Sequence, residues 1–219
     1  VGLTDGMVEW VVGHTMHYHL ELDRQIHNPN QEWDDTPPPL AKDRHVTILG
    51  LGELGAACGQ ALANLGFQVS GWSRTAKDIP NITCHSDNDG LNAALSAADT
   101  LVLLLPQTPQ TENVINADTL EVLKPGAVIL NPGRGTLIDD QALISALDRG
   151  QIRAATLDVF RVEPLPLDHA YWAHPKVTVT PHIASTTRPD TASQIIAENI
   201  DRCESGLPLL HTVDRLSGY

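Results

Sequence analysis

Four side chains in the second half of the sequence have the types that proton transfer and anion handling require. They are Arg134 in NPGRGTLIDDQAL (131–143), Asp158 and Glu163 in LDVFRVEPLP (157–166), and His182 in TPHIA (180–184). Histidine carries protons near neutral pH. A carboxylate beside it favours the imidazolium and fixes the ring. An arginine can clamp a substrate anion and polarise a carbonyl. Each residue also has a plainer reading. A lone His after a strand more often packs or faces solvent, and an Arg between glycines can simply serve a turn. The set as a whole is harder to attribute to chance, because each segment follows a strand-like run. All three therefore fall at the carboxyl end of a sheet, where open α/β sheets bind ligands.

A second chemistry is written nearer the amino end. Gly50-x-Gly52-x-x-Gly55 follows the apolar run HVTIL and opens the helix-like ELGAACGQALANLG, beginning Glu53-Leu54. In such a turn the first Gly permits the tight bend, the second lets backbone approach a pyrophosphate, and the third lets helix and strand pack closely. The helix N-terminus then offers N–H groups to the phosphates. One helix-length later comes FQVSGW, closed by Ser73 and Arg74 where an Asp or Glu for the ribose hydroxyls is usual. A carboxylate at 73 would repel a 2′-phosphate. Ser73 can donate to one, Arg74 can pair with it bidentately, and Lys77 adds a second cation. The expectation is NADP(H), with NAD(H) as the second choice and a plain solvated turn as the bland alternative.

The elements that must position these residues follow from the hydropathy pattern. From Arg44 onward, strand-like runs HVTIL, FQVSGW, TLVLLL, GAVIL, RAATLDV and KVTVT alternate with longer helical or mixed stretches. That alternation predicts an α/β fold, a Rossmann-type doubly wound parallel sheet covered on both faces. DDQALISALDRG is an amphipathic helix stopped by Gly150. Apolar residues at 7, 8, 11, 12, 16 and 20 predict a leading helix over 4–20. A polar, Pro-rich connector over 28–43 follows. Another helix runs from about Asp190 to Cys203. Residues 1–189 are expected to form the nucleotide-binding domain, and 190–219 a C-terminal helix or arm.

Composition narrows the partners. The 219 residues hold 14 Lys and Arg against 27 Asp and Glu, a formal net charge of -13. Such an excess repels nucleic acid and anionic membranes, so neither is expected as a partner. No apolar run approaches ~20 residues. Three cysteines without CxxC spacing point to free thiols in a reducing compartment, and hence to the cytoplasm. His14, His17 and His19 could suggest a metal, but only Glu21 lies at a fitting offset, and an amphipathic helix is the preferred reading. No metal is expected.

Taken together, the chain resembles the D-isomer-specific 2-hydroxyacid dehydrogenases along essentially its whole length. It looks most like the glyoxylate/hydroxypyruvate reductase branch, through WSR at 72–74, PHIA-x-x-TRP at 181–189 and VDR-x-x-GY at 213–219. The resemblance implies that Arg134 holds the substrate carboxylate and carbonyl, that His182 is the acid/base and that Glu163 is its partner. It implies further that Asp158 sits near the nicotinamide. The cofactor would be lined by Leu105, Pro106 and Thr111 of LLPQTPQT, Pro132 and Gly133 of NPGRG, Glu53 and Leu54, and Trp72. The expected reaction is NADPH-dependent reduction of a small 2-keto acid to the 2-hydroxy acid. Glu163 weighs against formate-oxidising relatives, which carry Gln there.

The same resemblance implies a homodimer contacting through the leading helix, with Trp10 and Met16 as interface residues. It implies too that a typical relative carries roughly 80–100 residues of substrate domain ahead of this point. The chain end would return to that domain. Two other readings remain: a dinucleotide-sensing protein like the corepressors of this fold, and a dehydrogenase for bulkier D-2-hydroxy acids.

Overall fold

The computed structural model describes residues 2–26, 28, 30–31, 33–187 and 189–212. Arg188 of the TRP stretch and the whole 213–219 motif lie outside the described residues. Seven strands form one parallel sheet: β1 His45–Leu49, β2 Gln68–Trp72, β3 Thr83–His85, β4 Thr100–Leu103, β5 Ala127–Asn131, β6 Ile152–Leu157 and β7 Val177–Val179. Their spatial order is β3-β2-β1-β4-β5-β6-β7. The order reverses direction between β1 and β4, which opens the crevice in which such sheets take ligands. The sequence pattern anticipates six of the strands. It misses β3, whose three residues TCH carry no apolar run and pair only with β2.

The alternation of side chains along a strand divides the core into two layers. Leu49, Leu101, Leu103 and Ile129 face one side, packing with Leu95, Leu120, Leu143 and Leu147. Those last four come from α4 Asp87–Ala97, α5 Ala117–Val122 and α6 Asp140–Asp148. Val46, Ile48, Val102, Val128 and Leu130 face the other side, against α1 Gly2–His19 and α3 Glu53–Asn64. β5 is buried at every position, as a central strand covered on both faces should be.

Local signals set the helix ends. Asp139 caps α6 by accepting from the N–H groups of Gln141 and Ala142, and Gly150 sits at φ 79 just beyond its end. Asn116 and Thr119 form a reciprocal capping box on α5.

The leading helix belongs to the sheet it precedes. Met7, Val11, Thr15 and Tyr18 form its buried stripe, spaced four, four and three residues apart. The Tyr18 hydroxyl meets the Thr156 hydroxyl of β6 at 2.8 Å. Arg153, also on β6, donates to the Tyr18 carbonyl at 3.0 Å and pairs with Asp23 at 2.8 Å. Trp10 and Met16, expected at a subunit contact, are only partly exposed and pack on the α1–α3 side of the core. Beyond β7, α8 Pro189–Glu204 buries none of its residues and leaves Ile196 and Ile200 exposed.

Candidate active site

The turn after β1 is shaped by what its glycines exclude. Gly50 has φ 109, a conformation that side chains resist, and a Cβ there would lie 2.5 Å from the Leu104 carbonyl oxygen. A Cβ on Gly55 would lie 1.8 Å from the Gly50 carbonyl oxygen. Gly52 is the opposite case, because a Cβ there meets nothing within 4 Å. Its backbone faces open space at the start of α3, and it caps that helix without a side-chain hydrogen bond. Open space beside uncapped helix N–H groups suits a pyrophosphate. The residues therefore fit a dinucleotide. Glu53 opens α3 and accepts from Thr4 at 3.5 Å, while Leu54 packs on the core.

At the end of β2, Trp72 donates its indole N–H to the Asp87 carbonyl at 2.6 Å and so ties β2 to α4. Ser73 is buried, and its hydroxyl donates to the Thr75 carbonyl at 2.8 Å. Its one proton shapes this turn, leaving oxygen lone pairs rather than a donor. Arg74 and Lys77 are exposed beside it. Thr111 behaves like Ser73. Its hydroxyl donates to the Pro106 carbonyl at 2.6 Å and accepts from Thr108 N–H at 2.9 Å, folding the 106–111 loop next to buried Leu105.

The catalytic candidates come from three loops. Asn131 ends β5 and builds the first. Its Oδ1 accepts from Gly133 N–H at 3.1 Å, and its Nδ2 donates to the Arg134 carbonyl at 3.0 Å. Sequence reading passed over Asn131, although Asn before Pro-Gly is a turn signal. Pro132 and Gly133 are buried, and Arg134 is exposed with Nη1 donating to the Gly133 carbonyl at 2.6 Å.

The second and third loops meet at a short hydrogen bond. His182 Nδ1 lies 2.7 Å from Glu163 Oε2, and Glu163 Oε1 accepts from the Phe160 N–H at 2.9 Å. Burial alone would raise the Glu163 pKa. The bonds from His182 and Phe160, with the nearby charges of His182 and Arg134, outweigh it and hold the carboxyl below its ordinary value. An ionised carboxylate only accepts, so Nδ1 carries the hydrogen in this bond and Nε2 stands outside it.

His182 sits at φ 54, an uncommon conformation for a residue with a side chain. Asp158 holds it there. The Asp158 carbonyl accepts from His182 N–H at 2.8 Å. Its Oδ1 accepts from the Thr180 hydroxyl at 2.5 Å and Ile183 N–H at 3.0 Å, and its Oδ2 from Ala184 N–H at 2.9 Å. Asp158 is fully buried, so its visible work is to fold the 180–184 loop. His14 lies near enough to feel the Asp158 charge; burial first, then His17, push its pKa down against that pull. The leading histidines diverge: His14 meets Trp10 with tilted rings, centroids 4.3 Å apart, His17 meets the Tyr18 edge and His19 meets Phe67. An open cleft of about 570 Å³ adjoins the back of the His182 loop, between Trp10 on α1 and Ile183, Thr187 and Pro189.

Comparison with known proteins places this geometry in a lineage. Residues 12–184 match the model for "D-isomer specific 2-hydroxyacid dehydrogenase, NAD binding domain". A curated relative from Photorhabdus laumondii, glyoxylate/hydroxypyruvate reductase A, is 40% identical over 214 residues, spanning 97% of this chain and 68% of the relative. Among solved structures, a D-isomer specific 2-hydroxyacid dehydrogenase from Xanthobacter autotrophicus Py2 in complex with NADPH and MES superposes with a TM-score of 0.94. It is 40% identical and covers 99% of this chain and 90% of its own. An NADPH-dependent glyoxylate/hydroxypyruvate reductase from Sinorhizobium meliloti, in complex with NADP and sulfate, also has a TM-score of 0.94. It is 36% identical, over 100% of this chain and 71% of its own. The chain belongs to the D-isomer-specific 2-hydroxyacid dehydrogenase family, and residues 12–184 match its NAD-binding domain.

Proposed function

We propose that this protein reduces a small 2-keto acid of the glyoxylate or hydroxypyruvate class, using NADPH. The observation that carries the reading is the His182–Glu163 pair, joined at 2.7 Å on the same sheet edge as Arg134 and the Gly50–Gly55 turn. Arg134 attracts the substrate carboxylate and turns the carbonyl towards His182. Bound NADPH supplies the hydride. His182 Nε2 donates a proton to the carbonyl oxygen as charge develops there, and Glu163 keeps the ring oriented and stabilises its charged form. Arg74 and Lys77 give a 2′-phosphate its cations in a protein of strongly negative charge.

The assembly is part of the same reading. The exposed Ile196, Ile200, Leu207 and Leu209 around α8 suit a covering surface supplied by a substrate-binding region, to which α8 returns. Two copies pair through the nucleotide-binding domain, along the face of α1. Free Cys58, Cys84 and Cys203 suit a reducing cytoplasm. Among the described residues no helix is long and apolar enough to cross a membrane.

The test is NADPH oxidation with a panel of 2-keto acids, comparing the wild-type protein with His182→Ala. Turnover should drop roughly 100-fold or more with NADPH affinity nearly unchanged. Normal turnover in His182→Ala removes the mechanism. Tight NADPH binding with no turnover on any keto acid supports a dinucleotide sensor instead.

A further inference from the structure

Resting on the reductase reading above, we propose that Arg161 is a positioning residue that locks together the three loops carrying Thr111, Arg134 and Glu163. Arg161 lies one residue after Phe160, whose N–H holds Glu163, and two residues before Glu163 itself. Its guanidinium reaches across to the loops after β4 and β5. Nη2 donates to the Asn113 side-chain oxygen, to the Ile138 carbonyl at 2.7 Å and to the Thr136 carbonyl at 3.4 Å. Nη1 lies 3.6 Å from Glu112, and Nε 3.8 Å from Asp140 at the start of α6. One side chain therefore touches the loop after β4, the turn after β5 and the first turn of α6.

The backbones around it leave no slack. Asn113 N–H donates to the Thr136 carbonyl at 2.9 Å, and Ile115 N–H to the Leu137 carbonyl at 3.0 Å, so the first two loops already run side by side. A Cβ on Gly135, next to Arg134, would lie 2.0 Å from the Phe160 carbonyl carbon and 2.5 Å from Arg161 N. The Arg134 turn and the Glu163 loop are thus in direct backbone contact, and the Arg161 side chain adds bonds from the second to the first. Asn113 sits at φ 52, a bend that its bonds to Thr136 and Arg161 hold in place. Asp140 is fixed in turn by the Tyr171 hydroxyl at 3.0 Å and by His169 at 3.8 Å.

A guanidinium suits this place because its five N–H groups reach several acceptors from one plane. Lysine, a single point charge, can satisfy only some of them. The expected consequence for catalysis is specific. Loss of Arg161 lets the Glu163 loop drift from the Arg134 turn, so substrate and proton donor lose their mutual alignment. The Gly50–Gly55 turn, on the other side of the crevice, keeps its geometry.

The experiment has two arms, on Arg161→Met and Arg161→Lys in the intact protein. In the first, amide hydrogen exchange is followed residue by residue. Arg161→Met should speed exchange at Asn113, Ile115 and Phe160 by about 10-fold or more, with Ala56 at the start of α3 unchanged; Arg161→Lys should fall between. Loosening of Asn113 with Phe160 still protected would mean that Arg161 pins one loop only, and overturns the proposal. In the second arm, kcat and KM for glyoxylate and Kd for NADPH are measured per folded molecule. Arg161→Met should lower kcat roughly 10- to 100-fold and leave Kd within about 3-fold, with partial recovery in Arg161→Lys. Unchanged kcat in Arg161→Met, alongside an active wild type, also overturns it. A wild type that reduces no keto acid sinks the reductase reading alone, because the exchange arm still decides whether Arg161 holds the loops.

Discussion

The glycine turn and the candidate catalytic loops lie at the same end of one sheet but are built in opposite ways. The turn is a backbone device. Its geometry comes from what Gly50 and Gly55 lack, and the groups it can offer a ligand are N–H groups at the start of α3. The candidate catalytic loops are a side-chain device, assembled from residues 19 to 26 positions apart, such as Glu163 with His182 and Asp158 with Ala184. A backbone site fails all at once when crowded. A side-chain site loses function in steps as its supports go.

Substitutions that crowd the turn should therefore have the largest effects. Gly55→Val puts branched carbon where the Gly50 carbonyl already stands, and neither backbone can yield without separating α3 from β1. A stability loss of about 3 kcal/mol or more is expected, with NADPH binding abolished. Urea unfolding and fluorescence titration read both, and a stable, binding-competent Gly55→Val would erase the contrast between the regions.

Asp158→Ala comes next. It leaves the Ile183 and Ala184 N–H groups and the Thr180 hydroxyl without their acceptor, the Ala184 bond in a buried place and the other two in partly buried ones. Such losses cost about 1–3 kcal/mol each when unrelieved. A destabilisation of about 3 kcal/mol is expected by thermal unfolding, with His182 released from its φ 54 conformation. If the 180–184 loop keeps its shape in a crystal structure of Asp158→Ala, Asp158 does not hold it.

Arg74→Ala probes the outer rim of the turn, where side chains supplement the backbone. NADPH affinity should weaken by about 1–3 kcal/mol while NADH affinity barely moves. Equal losses for the two cofactors would place the 2′-phosphate elsewhere.

The smallest effect concerns pH. The Glu163 pKa is lowered in the folded protein, so its ionised form contributes stability. That contribution is fully present above the unfolded carboxylate range, near ~4.3, and is lost as pH falls through the lowered folded value. Glu163→Gln should flatten this part of the stability–pH curve only slightly, because solvent reaches and screens the pair. A steep acid transition that survives Glu163→Gln would assign it to other carboxylates.

The amino-acid sequence by itself determined what depends on neighbours in the chain. The parallel alternation, the α6 helix between Asp139 and Gly150 and the GxGxxG turn all rest on short-range rules of burial period, capping and allowed φ. Those rules act within a few residues, so they are legible without contacts. The short strand β3 escaped them because its partner β2, rather than its own composition, makes it a strand. The types and order of Arg134, Glu163 and His182 were legible too, but not what supports them.

Only the tertiary structure decided that Asp158 is spent on folding the His182 loop, that Ser73 and Thr111 donate inward to their own turns, and that Arg161 spans three loops. It also decided that the leading helix is fastened to the sheet through Tyr18 and Arg153, up to 138 positions away in the chain. The long-range contacts among these share one physical reason. A buried donor or acceptor must find a partner wherever packing brings one, and packing joins segments that the sequence keeps far apart.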